Sequence, residues 1–194
     1  MKCRVPHLVG PVALLLAWTA LAQPTEQVLK ARYLLNFAEF VEWPVGTFAD
    51  RNVPLIVGVV GDNQILSELG KMKVRRVAGR SVEIREFTWE ELTDKRSRVD
   101  SRLRTCHILF VSEAESRVMP LIFRKLKSAS VLTVSDWARF ALEGGVIEFF
   151  RFQDATLIQV NLDAAERASL KVSSQLLRLV KVIYREDSQP RSAP

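Results

Sequence analysis

Few side chains in this sequence could do chemistry, and their spacing argues against most of it. Cys106 and His107 are adjacent, and neighbours on an extended strand point to opposite faces, so no local cysteine–histidine pair forms. One histidine and one cysteine do not by themselves hold zinc. Ser112, Ser135 and Ser173 lack the glycine-flanked elbow of a hydrolase nucleophile. Gly58-Val59-Val60-Gly61-Asp62 resembles half a phosphate-binding loop, without a third glycine or a Lys-Ser/Thr ending. It reads as a tight strand-to-helix turn. Asp136 and Asp163 stand where helices are predicted to begin and read as caps. The expectation is a protein with no catalytic residues, no metal and no cofactor.

The remaining chemistry is basic. Between Lys71 and Arg104 there are eleven Lys/Arg against six Asp/Glu, which predicts either solvated loops or a surface facing anionic lipid or an acidic partner. The whole chain of 194 residues carries a formal +6, but not all of it is expected in the mature protein. Met1 to Ala22 read as a secretory signal peptide. Lys2 and Arg4 form a positive start, PVALLLAW an apolar core, and Ala20-Leu21-Ala22 a small-x-small cleavage pattern. The apolar run is shorter than the roughly 20 residues that a bilayer requires. Cleavage leaves 26 basic against 22 acidic residues and a periplasmic location, in which nucleic acid is not a partner. It also leaves Cys106 as the lone cysteine, without an internal disulfide and expected to be buried.

The elements that must position these groups alternate. Glu26 to Glu42 reads as a helix with a broad apolar surface and one polar stripe, Arg32, Asn36 and Glu39. Trp43 before Pro44 stops it and is expected to pack. Strands are predicted at Pro54–Val60, Ser81–Phe87, Cys106–Ser112 and Val131–Val134, and helices at Ile65–Leu69, Trp89 to about Arg98, Glu115–Lys127 and Trp137–Leu142, the last ended by Gly144-Gly145. Val146–Phe150 and Thr156–Leu162 form a hairpin, with Gln159 and Asn161 facing away from Ile158 and Val160. Asp163-Ala164-Ala165-Glu166 reads as a capping box, and a last helix is predicted from about Ser173 to Arg185. The expected organisation is a signal peptide over 1–22, one α/β domain over 23–185 and a disordered tail over 186–194. The domain is a mainly parallel sheet flanked by helices with a C-terminal antiparallel hairpin. The broad first helix exceeds what one sheet face covers and predicts a homodimer.

Several blocks together resemble the YfiR-like family of exported proteins. They are Lys30–Pro44, Cys106-His107-Ile108-Leu109-Phe110-Val111-Ser112, Val131–Asp136, Gly144-Gly145-Val146-Ile147, Val160–Ala165 and Leu170–Leu177. The resemblance implies a periplasmic, non-enzymatic α/β protein. Its partner would be an inner-membrane diguanylate cyclase of the YfiN type, inhibited through that partner's periplasmic domain, with control over cyclic di-GMP and biofilm. Members of that type use disulfides, whereas this chain has one mature cysteine, and an acidic residue usual before Asn161 is Gln159 here. The residues expected to meet a partner are Asn36, Glu39, Trp43, Gln159, Asn161, Lys171 and Gln175. An alternative is a small-solute sensor, with its ligand at the carboxyl ends of the strands, by Gly61, Ser112 and Ser135-Asp136. A cysteine-dependent enzyme built on Cys106 ranks last.

Overall fold

The first helix, α1 (Glu26–Phe40), starts where the Thr25 hydroxyl accepts the Val28 amide. A computed structural model describes residues 24–72, 76–94, 98–153 and 155–183 of the chain. The predicted signal peptide and the polar tail lie outside these residues. At its far end α1 gives way to a short extended strand, β1 (Val41–Glu42), two residues before Pro44. Ala31, Leu34, Leu35, Phe37 and Ala38 are buried in the core, while Arg32, Asn36 and Glu39 stay exposed as the polar stripe predicts.

The strands β2 (Leu55–Val60), β3 (Val82–Phe87), β4 (Ile108–Val111), β5 (Leu132–Ser135), β6 (Ile147–Phe152), β7 (Ala155–Asn161) and β9 (Lys181–Ile183) form one sheet in the order β3-β2-β4-β5-β6-β7-β9. Pairing is parallel from β3 through to β6, antiparallel between β6 and β7, and parallel again between β7 and β9. This is the predicted single-domain α/β fold with its hairpin. The central strands β2, β4 and β5 are buried at every position, as expected of strands covered on both faces. One face packs α1 and α2 (Asn63–Lys71), where Ile65 and Leu69 join the core. The other packs α3 (Trp89–Thr93), α4 (Val99–Arg104), a 3-10 turn (Glu113–Val118) and α5 (Met119–Lys125). Complete burial of a side chain such as Leu34 or Phe37 contributes about 2 kcal/mol. Because α2 lies beside α1, much of the apolar surface that predicted a second molecule is covered within the chain.

Five predicted elements differ. The helix expected from Trp89 to about Arg98 is α3, which ends at Thr93 with Asp94 extended as its C-cap. The helix from Glu115 to Lys127 is a 3-10 turn kinked at Glu115 and followed by α5, whose first turn takes Pro120. No helix forms over Trp137–Leu142. Arg139 is left-handed (φ 71°), and the buried Glu148 carboxylate accepts the amides of Arg139 (3.0 Å) and Ala141 (2.9 Å). A side chain from β6 therefore supplies the partners that helical carbonyls would have given. Gly145 sits under the Phe140 ring, where an added Cβ would lie 2.1 Å from a ring carbon. The helix α6 (Leu162–Arg167) is capped by Asn161 rather than Asp163, its side chain accepting the Ala164 amide at 2.8 Å. Lastly, the predicted C-terminal helix is β8 (Lys171–Val172), a single turn α7 (Ser174–Leu177) and β9, which pairs with Gln159–Asn161 of β7.

Candidate functional site

Five of the seven residues expected to meet a partner gather around the carboxyl end of α1. There β1 pairs antiparallel with β8, setting Val41 opposite Val172 and Glu42 opposite Lys171. The Ser173 amide donates to the Phe40 carbonyl at 2.8 Å, and the Ser173 hydroxyl caps α7. Two segments distant in sequence thus become one small surface. Asn36 and Glu39 lie exposed on the last turns of α1, Trp43 follows β1, and Lys171 and Gln175 are exposed on the facing segment. The Glu39 carboxylate also accepts the Ala78 amide at 2.5 Å, which ties the loop before β3 to this end of the helix.

Gln159 and Asn161 do not join them. Both are buried, not outward, because the turn over Arg139–Ala141 folds across that end of β7. The Asn161 amide nitrogen donates to the Ala141 carbonyl at 2.6 Å while its oxygen caps α6. Asn161 is a structural fastener between the turn, the sheet and α6.

Beneath the α1 surface lies an aromatic stack that the sequence did not announce. The His107 ring lies parallel to Phe48 at 4.3 Å, and Trp43 stands edge-on to Phe48 at 5.9 Å and to His107 at 6.1 Å. The Arg80 guanidinium covers the other approach to Phe48, 3.9 Å from its centroid, and donates to the carbonyls of Asp50 and Val53. The Nδ1 of His107 accepts the Ile56 amide at 2.9 Å. Burial, reinforced by the positive charges of Arg80 and Arg85, pushes the His107 pKa down to about 4. The imidazole is therefore neutral at physiological pH. The Trp43 Nε1 is buried with no hydrogen-bond partner among the described residues. Phe48 follows the left-handed Gly46 (φ 92°) in an irregular segment, where no periodic pattern marks it.

Cys106 points the other way, into the core beneath α3–α5. It is 2% exposed, and its thiol lies 3.4 Å from the Arg102 carbonyl. Burial outweighs the nearby Arg85 and Arg102 and pushes its pKa up to about 12. Such a thiol is inert as a nucleophile.

At the carboxyl ends of the strands, the groups considered for a solute are already engaged. The side chain of Glu115 covers Gly61, which is left-handed. Ser112 starts the 3-10 turn, and the Ser135 hydroxyl donates to the Val111 carbonyl at 2.6 Å and accepts the Trp137 amide. Asp136 is not a cap for its own segment. One oxygen accepts the Glu113 amide at 2.8 Å and the other receives the buried Lys30 ammonium at 2.7 Å. Lys30 also bonds Glu26 at 2.8 Å. Burial lowers the Lys30 pKa, but the hydrogen bonds and charges of Asp136 and Glu26 outweigh it, and Lys30 titrates above its usual 10.5. This pair pins α1 to the end of β5. An open cleft of about 320 Å³ beside it includes Arg151, itself paired with Glu26 at 3.2 Å.

Much of the basic stretch from Lys71 to Arg104 is likewise used internally. Arg80 and Arg104 donate to backbone carbonyls, Arg102 pairs with Glu91 and lies over Phe87, and Arg85 pairs with Glu83. Residues 73–75 and 95–97 of that stretch lie outside the described residues. No helix among the described residues is long and apolar enough to cross a membrane.

Over residues 27–181 the chain matches the model of a family described as YfiR/HmsC-like. No curated protein matches it. Among solved structures, it is similar to a conserved domain protein from Vibrio cholerae O1 biovar El Tor, at 10% identity and a TM-score of 0.57. The match covers 83% of this chain and 60% of that one. It is also similar to an ABC domain in complex with L-Trp from Streptococcus pneumonia, at 12% identity and a TM-score of 0.49, over 66% of this chain and 55% of that one. The first likeness is one of fold alone.

Proposed function

The chain belongs to the YfiR/HmsC-like family, and from that premise we propose that it is a non-enzymatic periplasmic protein that binds and inhibits an inner-membrane diguanylate cyclase. Proteins of the family are periplasmic regulators of diguanylate cyclase signalling. The observation that carries this reading is the family match across nearly the whole fold, from α1 to the start of β9. The junction of β1 and β8 at the end of α1 supports it, since Asn36, Glu39, Lys171 and Gln175 are each exposed on the segments that meet there and Trp43 packs against Phe48 beside them. By this reading the protein grips the periplasmic domain of the cyclase there, and release raises cyclic di-GMP and favours biofilm.

The test is retention of the cyclase from solubilised inner membranes, paired with cyclic di-GMP measured in a deletion strain. Deletion should raise cyclic di-GMP, and the wild-type protein should recover one cyclase repeatedly. Lys171→Gln, which removes the charge without setting a second carboxylate opposite Glu42, should weaken retention several-fold while leaving Tm within about 2 °C of wild type. Recovery of no signalling protein, together with unchanged cyclic di-GMP, would overturn the reading. The same reading includes a homodimer. With α1 covered, its surface would be the β6–β7 hairpin, where Phe152 (59% exposed) and Leu157 (40% exposed) share one face with Phe150. A monomeric mass in light scattering at micromolar concentration refutes the dimer.

A further inference from the structure

The amino edge of the sheet carries an open cavity of about 560 Å³, within the usual range for small-ligand sites. Two guanidinium groups and several hydroxyls line it, and no carboxylate does. Both guanidiniums are oriented by bonds that leave other N–H groups unused. Arg85 gives Nε to Glu83 at 2.6 Å and Nη1 to the Thr105 hydroxyl at 2.8 Å, with Nη2 unbonded among the described residues. Arg104 gives Nη1 to the Lys125 and Lys127 carbonyls at 3.0 and 2.8 Å, with Nε and Nη2 unbonded among the described residues. Thr47, Ser128 and Ser130 line the same space and bring three further hydroxyls to it. His107 also lines it. Its Nδ1 is occupied by the Ile56 amide, so the proton of the neutral ring sits on Nε2, a donor.

Pre-oriented arginines, hydroxyls and a neutral histidine donor make a set that accepts oxyanions and offers a cation little. We propose that this cavity is a binding site for a small molecule carrying a phosphate group, held between Arg85 and Arg104 with Ser128, Ser130 and Thr47 as further donors. Its volume exceeds that of phosphate alone, so an organic substituent fits beside the anion. The phosphate can belong to a free metabolite or to a phospholipid headgroup, the chemistry being the same. None of the residues proposed to meet the partner lines the cavity, although His107, which does, packs edge-on against Trp43; the proposal does not depend on that partner.

The experiment titrates the purified protein with sn-glycerol 3-phosphate in a calorimeter, with glycerol as control. In parallel it floats the protein with phosphatidylglycerol or phosphatidylcholine vesicles. Saturable binding of glycerol phosphate, competed by inorganic phosphate, identifies a soluble ligand. Flotation with phosphatidylglycerol alone identifies the headgroup. In either case Arg104→Gln should weaken binding about tenfold or more. Because Arg104 also holds the end of α5, Ser130→Asp provides a second variant. It puts a carboxylate on the wall without touching the bonds of either arginine, and should abolish binding while leaving Tm within about 2 °C of wild type. Absence of binding to both probes overturns the proposal. So does binding, soluble or to vesicles, that neither variant changes.

Discussion

Acidification should loosen this protein through His107 before its carboxylates are much protonated. The ring is 4% exposed, stacks on Phe48 and spends Nδ1 on the Ile56 amide. Arg80 and Arg85 face it, and its pKa falls from 6.5 to about 4. A histidine that resists protonation when folded takes up a proton on unfolding, so the unfolded state gains as pH falls. The contribution is fully present above about pH 6.5 and is lost as pH falls to about 4. At about 1.4 kcal/mol per pKa unit, that loss totals about 3 kcal/mol, of which about 2 falls between pH 6.5 and 5. Two kcal/mol corresponds to roughly 4–8 °C in Tm for a chain of this size. The assay is urea unfolding at pH 7 and pH 5 for the wild type and for His107→Asn, whose amide oxygen can still accept the Ile56 N–H. The variant should be weaker at both pH values, having lost the ring. It should lose about 2 kcal/mol less than wild type on acidification. Since the carboxylates titrate alike in both proteins, equal pH dependence would refute the assignment of a depressed pKa to His107.

Three further outcomes follow from the packing. Cys106, with a pKa of about 12, should resist Ellman's reagent at pH 8 in the native protein and react only in urea; rapid native labelling would contradict its burial. Asp136→Asn should cost about 2 kcal/mol in urea unfolding, because it leaves the buried Lys30 with Glu26 alone; an unchanged midpoint would show that the pair contributes nothing net. Gly145→Ala should cost about 2 kcal/mol or more, since the new Cβ falls 2.1 Å from the Phe140 ring; an unaltered Tm would mean that the turn yields freely.

The parts legible in the sequence are those whose partners lie nearby or whose burial is uniform. The apolar run Leu55–Val60 and the run Ile108–Val111 could hardly be anything but covered strands, and α1 announced its polar stripe. What was not legible was set by distant residues. Trp137–Leu142 has helical composition, but Glu148 arrives from β6 to take its amides. The stretch from Ser173 onward has helical periodicity, yet β7 has an open edge and Val180-Lys181-Val182-Ile183 carries the β-branched residues to pair there. Asn161 and Gln159 alternate outward by strand pattern, and only the turn folding over them makes that face an interior. At the candidate site, Trp43 was expected to pack and does, while Phe48 and Arg80 gave no periodic signal because they sit in irregular segments.

The pairing of Val41 with Val172 has a consequence for how the chain comes together. It joins the first described element to one of the last, so the carboxyl end of α1, although held earlier by the Glu39–Ala78 bond, is not fully fastened until residue 173 donates to Phe40. A ribosome or a translocon delivers the amino terminus first, and the apolar flank of α1 must wait for most of the polypeptide before that end is fastened. Closing so long a loop makes folding slow and leaves the nascent helix a target for chaperones. A nonsense codon just before Lys171 would therefore be felt at the opposite end of the gene product, as a frayed first helix.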